Sequence, residues 1–158
     1  METAIPKIEL AQTILRGESP LSQGERELIA AFVSSRNHCE FCTKSHAATA
    51  WHLPGNTQEL VIAVLDNLET APISDKMKAL LTIASKVQQN GRFVTEEDIS
   101  SARNLGANDL EIHDTVLVAA AFCMYNRYVD GLAASTPTGD ELYDRIGAYL
   151  AKNGYRKE

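Results

Sequence analysis

Cys39-Glu-Phe-Cys42 sets two thiols three positions apart, where a turn gives way to a helical pattern. At a helix N-terminus the unpaired amides and the macrodipole favour anions, which lowers a thiol pKa and makes thiolate at neutral pH. A three-residue spacing also puts both sulfurs on one helical turn, within reach of a disulfide. His46 follows one turn later on the same face, where its imidazole can accept the thiol proton or stabilise the thiolate. The same residues admit blander readings: half of a zinc site completed by His38 or His46, or two packed and unreactive thiols. No second C-x-x-C and no H-x-x-x-H accompanies the pair, which argues against a structural zinc within the chain.

Glu27 is a less obvious candidate. It sits at the edge of the apolar face formed by Leu28, Ile29, Phe32 and Val33, and a solvated surface glutamate is the ordinary reading. If its helix packs on the cysteine helix, the carboxylate reaches the cluster; partial desolvation would then raise its pKa and let it pass protons. The remaining conspicuous residues read as structural. Cys123 lies in an apolar run and reads as a packed core thiol. His38 reads as a solvated turn residue, His113-Asp114 as polarity near a helix start, and Arg127 with Asp130 as a surface pair. Trp51 and Tyr125 read as core or subunit contacts.

The elements that must position these groups are helices. Ser22-Gln-Gly-Glu25 is a capping box opening a helix to about Arg36. A turn at Asn37-His38 leads into a helix from about Cys39 to His52, closed by Leu53-Pro54-Gly55. Further starts fall at Asn56-Thr-Gln-Glu59, Ser74, Thr95-Glu-Glu-Asp98, Asn108-Asp-Leu-Glu111 and Thr138-Gly-Asp-Glu141. A first helix ends at Gly17, and no strand alternation appears. The expectation is an all-α chain of about seven or eight helices in one domain over residues 1–158. Leu28–Phe32 echoes Val118–Phe122, each followed by an adjacent Arg and Asn; chance or an old duplication would explain it.

Composition bounds the rest. The 158 residues are 44% hydrophobic and carry a net charge of −6, which gives enough apolar material for a core and disfavours a dedicated nucleic-acid binder. Three cysteines are too few for a disulfide-stapled scaffold. No secretion signal or membrane-spanning run is evident, so a protein of the reducing cytoplasm is expected, with no membrane partner.

Glu27, Cys39 twelve positions later, Cys42 and His46 together resemble the E-x11-C-x-x-C-x3-H signature of the AhpD-like alkylhydroperoxidases. These form the peroxidase-related branch of the carboxymuconolactone decarboxylase superfamily. The lead-in from Leu21 to Ser34 and the later stretch from Ala121-Phe122 to Asn126-Arg127 look like the corresponding helices of that branch. The resemblance implies an AhpD-like helical bundle, assembly into trimers or hexamers, and thiol-dependent reduction of hydroperoxides without haem, flavin or metal. Carried over by position, Cys42 is the peroxidatic thiol, Cys39 its disulfide partner, and Glu27 with His46 a proton relay through a water. Cys42 would become a sulfenic acid, Cys39 would condense with it, and an external dithiol or disulfide reductase would restore both. One departure stands out: Phe41 occupies the position where the AhpD peroxidase has a second histidine, which bears on the relay and the rate. The decarboxylase branch lacks the cysteine pair, so the resemblance points away from decarboxylation. The rival from another class is a non-enzymatic redox sensor or helical binding protein that uses the same pair as a switch.

Overall fold

The computed structural model describes residues 2–156. Eight α-helices follow one another: α1 (Ala4–Arg16), α2 (Gln23–Arg36), α3 (Glu40–Trp51), α4 (Gln58–Asp66), α5 (Asp75–Gln89), α6 (Glu96–Asn104), α7 (Asp109–Gly131) and α8 (Asp140–Asn153). A single 3-10 turn at Gly91–Phe93 joins α5 to α6, and there is no strand among the described residues. The all-α expectation holds, with the helix count at the upper end of the expected range.

Most starts follow the local chemistry. Ser22, Thr95 and Asn108 each form a reciprocal capping box with the acidic residue three positions on, so the free amides of α2, α6 and α7 find partners without tertiary help. Two starts differ from expectation. Thr57 caps α4, because the Asn56 amide is drawn away to the carbonyls of Gly24 and Ala50 at 3.0 and 3.1 Å. Thr138 does not cap α8; Gly139 precedes that helix in a left-handed conformation and offers no side chain.

α2 lies at the centre, packed on α3, α5 and α7, while α8 lies across the outer side of α3. Leu28, Ile29, Phe32 and Val33 are all within the buried cluster, joined by Leu80, Leu81, Ile83, Val118 and Phe122 from α5 and α7. The two echoed segments meet in space: Asn37 donates to Asn126 Oδ1 at 2.8 Å, and Asn126 donates to Ser34 Oγ at 2.9 Å. Gln88 of α5 donates to Asn37 at 2.9 Å, so three helices are tied where α2 ends.

That end is a Schellman turn. His38 has φ 59°, its amide donates to Ser35 O at 3.0 Å, and the Cys39 amide donates to Ser34 O at 3.1 Å. The turn, fixed by the asparagine network beneath it, sets where α3 starts and hence where the two thiols stand. His38 itself is exposed.

Candidate functional site

Cys39 is the residue immediately before the first turn of α3, and Cys42 lies within that turn. Both are free thiols and both are buried, at 0% and 4% exposure. Burial pushes the Cys39 thiol far above the usual thiol range, and hydrogen bonds to the Cys42 side chain and the Asp130 carboxylate push it further. The nearby Cys42 amide pulls the other way and is outweighed. The expected lowering at a helix start therefore fails for Cys39, because desolvation outweighs the dipole there.

Packing of α2 on α3 brings Glu27 and His46 together. His46 Nδ1 lies 2.7 Å from Glu27 Oε2, and the carboxylate is completely buried. The other oxygen, Oε1, takes two donors: the Tyr155 hydroxyl at 2.6 Å and Arg16 Nη1 at 2.7 Å. Burial alone would push the Glu27 carboxyl up, but His46, Arg16 and Tyr155 together hold it below the usual carboxylate range. The raised pKa expected for a desolvated carboxylate is not found, because three donors outweigh desolvation. Tyr155 is pushed well above the ordinary phenol value by burial and by the neighbouring Glu27 charge.

An ionised Glu27 can only accept, so Nδ1 of His46 donates to it and Nε2 is the nitrogen that Glu27 leaves free. The imidazole is packed edge-on to Phe122, with ring centroids 4.5 Å apart, which fixes its plane. Cys42 and His46 follow each other on one face of α3, one turn apart; among the described residues no hydrogen bond joins them directly. Of the four histidines, only His46 meets Glu27: His52 pairs with Asp144 and His113 with Asp114. Phe41 packs edge-on against Tyr143 of α8, with ring centroids 6.2 Å apart. No three His, Cys, Asp or Glu side chains converge as a metal-holding set among the described residues.

Residues 8–86, which carry Glu27, Cys39, Cys42 and His46, match the carboxymuconolactone decarboxylase family. The chain belongs to that family. Among solved structures, it is 31% identical to an uncharacterized peroxidase-related protein from Silicibacter sp. TM1040, covering 90% of this chain and 73% of that one with a TM-score of 0.81. Two further structures share the fold. One, from Ralstonia eutropha JMP134, is described as an alkylhydroperoxidase AhpD core in an uncharacterized peroxidase-related protein, with 22% identity, coverage of 93% and 75%, and a TM-score of 0.82. The other, from Agrobacterium tumefaciens, is of unknown function and carries the suggestion of an AhpD antioxidant defence protein, with 20% identity, coverage of 87% and 92%, and a TM-score of 0.72. No curated protein matches the chain. This family member thus has the AhpD-like helical fold, and no helix among its described residues is long and apolar enough to cross a membrane.

Three contributors escaped the sequence. Arg16 ends α1 and looks like an ordinary basic residue at a helix C-terminus. Tyr155 lies past the stop signal of α8. Asp130 looks in sequence like a partner for Arg127, whose guanidinium instead donates to the Cys123 carbonyl at 2.9 Å. None has a local signal. Cys123 stays apart from the other thiols, accepting from Asn37 at 3.6 Å. A cavity of about 730 Å³ lies between α3, α4 and α8 and is lined by Thr43, Ala47 and Trp51 rather than by either thiol of the pair.

Proposed function

We propose that the protein reduces hydroperoxides, with Cys42 as nucleophile, Cys39 as its disulfide partner, and His46 oriented by Glu27 as the group that handles the proton. The observation carrying this is the 2.7 Å contact between His46 Nδ1 and the buried Glu27 carboxylate, one turn from a C-x-x-C at a helix start. A base held in one tautomer by a buried carboxylate next to a nucleophile is the arrangement thiol activation needs.

His46 Nε2 takes the Cys42 proton. The thiolate attacks a peroxide oxygen; the S–O bond forms as the O–O bond breaks, and sulfur gives up two electrons. The departing alkoxide takes the proton back from His46 and leaves as alcohol. The Cys39 thiol then attacks the sulfenic sulfur, the S–S bond forms, and water leaves with the Cys39 proton. An external dithiol returns two electrons by thiol–disulfide exchange.

The same reading has the chain assemble with copies of itself, as a trimer or hexamer. Leu110, Leu117, Met124 and Tyr128 recur along one face of α7 and are all exposed, an apolar stripe of the kind a subunit contact covers. Light scattering on the eluted protein reads its mass.

Turnover separates an enzyme from a redox switch. With an organic hydroperoxide and excess dithiol, the expected result is many alcohols released per chain, abolished in Cys42→Ser. Without dithiol, reduced Cys39→Ser should release one equivalent and hold a sulfenic acid that dimedone captures. Release of a single equivalent by the unaltered protein would support the sensor instead, and full turnover in Cys42→Ser would remove the nucleophile assignment.

A further inference from the structure

Glu27 and His46 account for only half of the buried cluster at the site. The rest comes from two places far apart in sequence. Arg16, the last residue of α1, reaches Glu27 Oε1 at 2.7 Å with its side chain only 6% exposed, and its Nη2 donates to the Leu150 carbonyl of α8 at 3.2 Å. Tyr155, two residues past α8, donates to the same Oε1 at 2.6 Å, and its oxygen lies 3.2 Å from His46 Nδ1.

The segment that carries Tyr155 is built to hold it there. Gly154 turns the chain at φ 71°, a conformation that favours glycine, and a Cβ at that position would lie 2.6 Å from Gln12 Oε1. The Tyr155 amide donates to that Gln12 oxygen at 2.7 Å, and Arg156 pairs with Glu9 at 2.6 Å. The Arg16 guanidinium lies over the Tyr155 ring, 5.1 Å from its centroid, and that ring is stacked on His46 with 6.1 Å between centroids. α1 and the residues past α8 therefore close over the Glu27–His46 pair as a unit.

We infer that Tyr155 and Arg16 are positioning residues: by occupying Oε1 of Glu27 they leave Oε2 as the acceptor for Nδ1–H of His46, so that Nε2 faces the chemistry as the base. This rests on the reading of Cys42 and His46 given above. The logic is one of donors and acceptors. With Nδ1 unprotonated, Oε2 could approach to 2.7 Å only if Glu27 carried a proton. Two donors on Oε1, one of them a cation, oppose that state. The Tyr155 hydroxyl spends its only proton on Oε1, so it too can only accept from Nδ1. The charged groups around the pair are Arg16, Arg26 beside it on α2, and Glu27, with the two thiols of α3 on the cysteine side.

The test reads His46 and Cys42 without any peroxide. Long-range proton–nitrogen spectra of the reduced full chain should show the neutral His46 ring protonated on Nδ1. Iodoacetamide labelling, followed at Cys42 by peptide mass spectrometry, should slow by about tenfold at pH 7 in Tyr155→Phe, as loss of one hydrogen bond to a charged group implies. Arg16→Met should also shift the ring toward protonation on Nε2, and Arg16→Lys should restore part of the original spectrum. A neutral ring protonated on Nε2 in the unaltered protein would overturn the inference, and this holds even if a variant fails to fold. So would Tyr155→Phe and Arg16→Met that fold and leave both spectrum and labelling rate unchanged. If these readouts respond but peroxide is not turned over, the positioning role stands and the peroxidase reading falls.

Discussion

α8 delivers the Tyr155 segment only because it can lie unusually close to α3, and Gly147 makes that approach possible. A Cβ built on Gly147 would stand 2.5 Å from the Ala48 carbonyl carbon, 2.6 Å from its Cβ and 2.7 Å from its oxygen. These are backbone atoms and a fixed methyl, so no side-chain rotation relieves the clash; the helices must separate by about 1 Å to restore van der Waals distance. Two opposing effects decide the sign of Gly147→Ala. Ala in a helix interior is favoured over Gly by about 1 kcal/mol, whereas overpacking a tight contact costs typically about 1–3 kcal/mol. With a backbone contact the upper end applies, leaving a net loss of roughly 2 kcal/mol. For a chain of this size that is a fall of about 4–8 °C in Tm. Gly131 is the internal control: it ends α7, and a Cβ there would meet nothing within 4 Å, so Gly131→Ala should be neutral or slightly stabilising. Thermal and urea unfolding of both variants measure this. An unchanged or raised Tm for Gly147→Ala would refute the close crossing and, with it, the account of how α8 places Tyr155.

Four further outcomes follow from the same contacts. Glu27→Leu leaves the Arg16 cation buried and unpaired and should cost about 3–5 kcal/mol in urea unfolding, with much of the loss recovered in the double variant Arg16→Met/Glu27→Leu; a double-variant loss equal to the sum of the two single losses would show that the pair is not coupled. The pH dependence of stability has two signs: the folded Glu27 pKa lies below its ordinary value, so its contribution is complete above a pH of about 4.3 and is lost as pH falls through the lower folded value. Tyr155 is raised, so its contribution is present below a pH of about 10 and is lost as pH rises beyond that, and Tyr155→Phe should flatten the alkaline limb of the urea midpoint. Asn126→Leu strands Ser34 and Asn37 in the buried network and should cost about 1–3 kcal/mol, read as a lowered urea midpoint. His38→Gly removes a side chain from a left-handed position and should stabilise by about 0.5–1 kcal/mol without altering the rate of Cys42 alkylation; a slowed rate would show that the His38 charge acts on the thiols.

The helices and the cysteine motif were legible because their causes are local. The capping boxes at Ser22, Thr95 and Asn108 satisfy amides within three residues, so the sequence alone specifies where α2, α6 and α7 begin. Where a tertiary partner competed, as at Asn56, the start moved by one residue. The face shared by Cys42 and His46 is equally local, a property of helical spacing on α3.

Charge state was not legible, because it depends on what surrounds a group rather than on its neighbours in the chain. The sequence placed Glu27 at the edge of an apolar stripe and could not say whether burial or donors would prevail. The outcome was decided by Tyr155, 128 positions away, and by Arg16, itself anchored to Leu150 at a separation of 134. In the same way Cys39 began as one of two equivalent thiols at a helix start; burial, with Asp130 from the far end of α7, pushed it above the usual thiol range. Residue types and spacing thus determined which groups are available for chemistry. Only tertiary packing decided which way burial and donors shift the Glu27 carboxyl and the Cys39 thiol, because desolvation and long-range donors set those free energies.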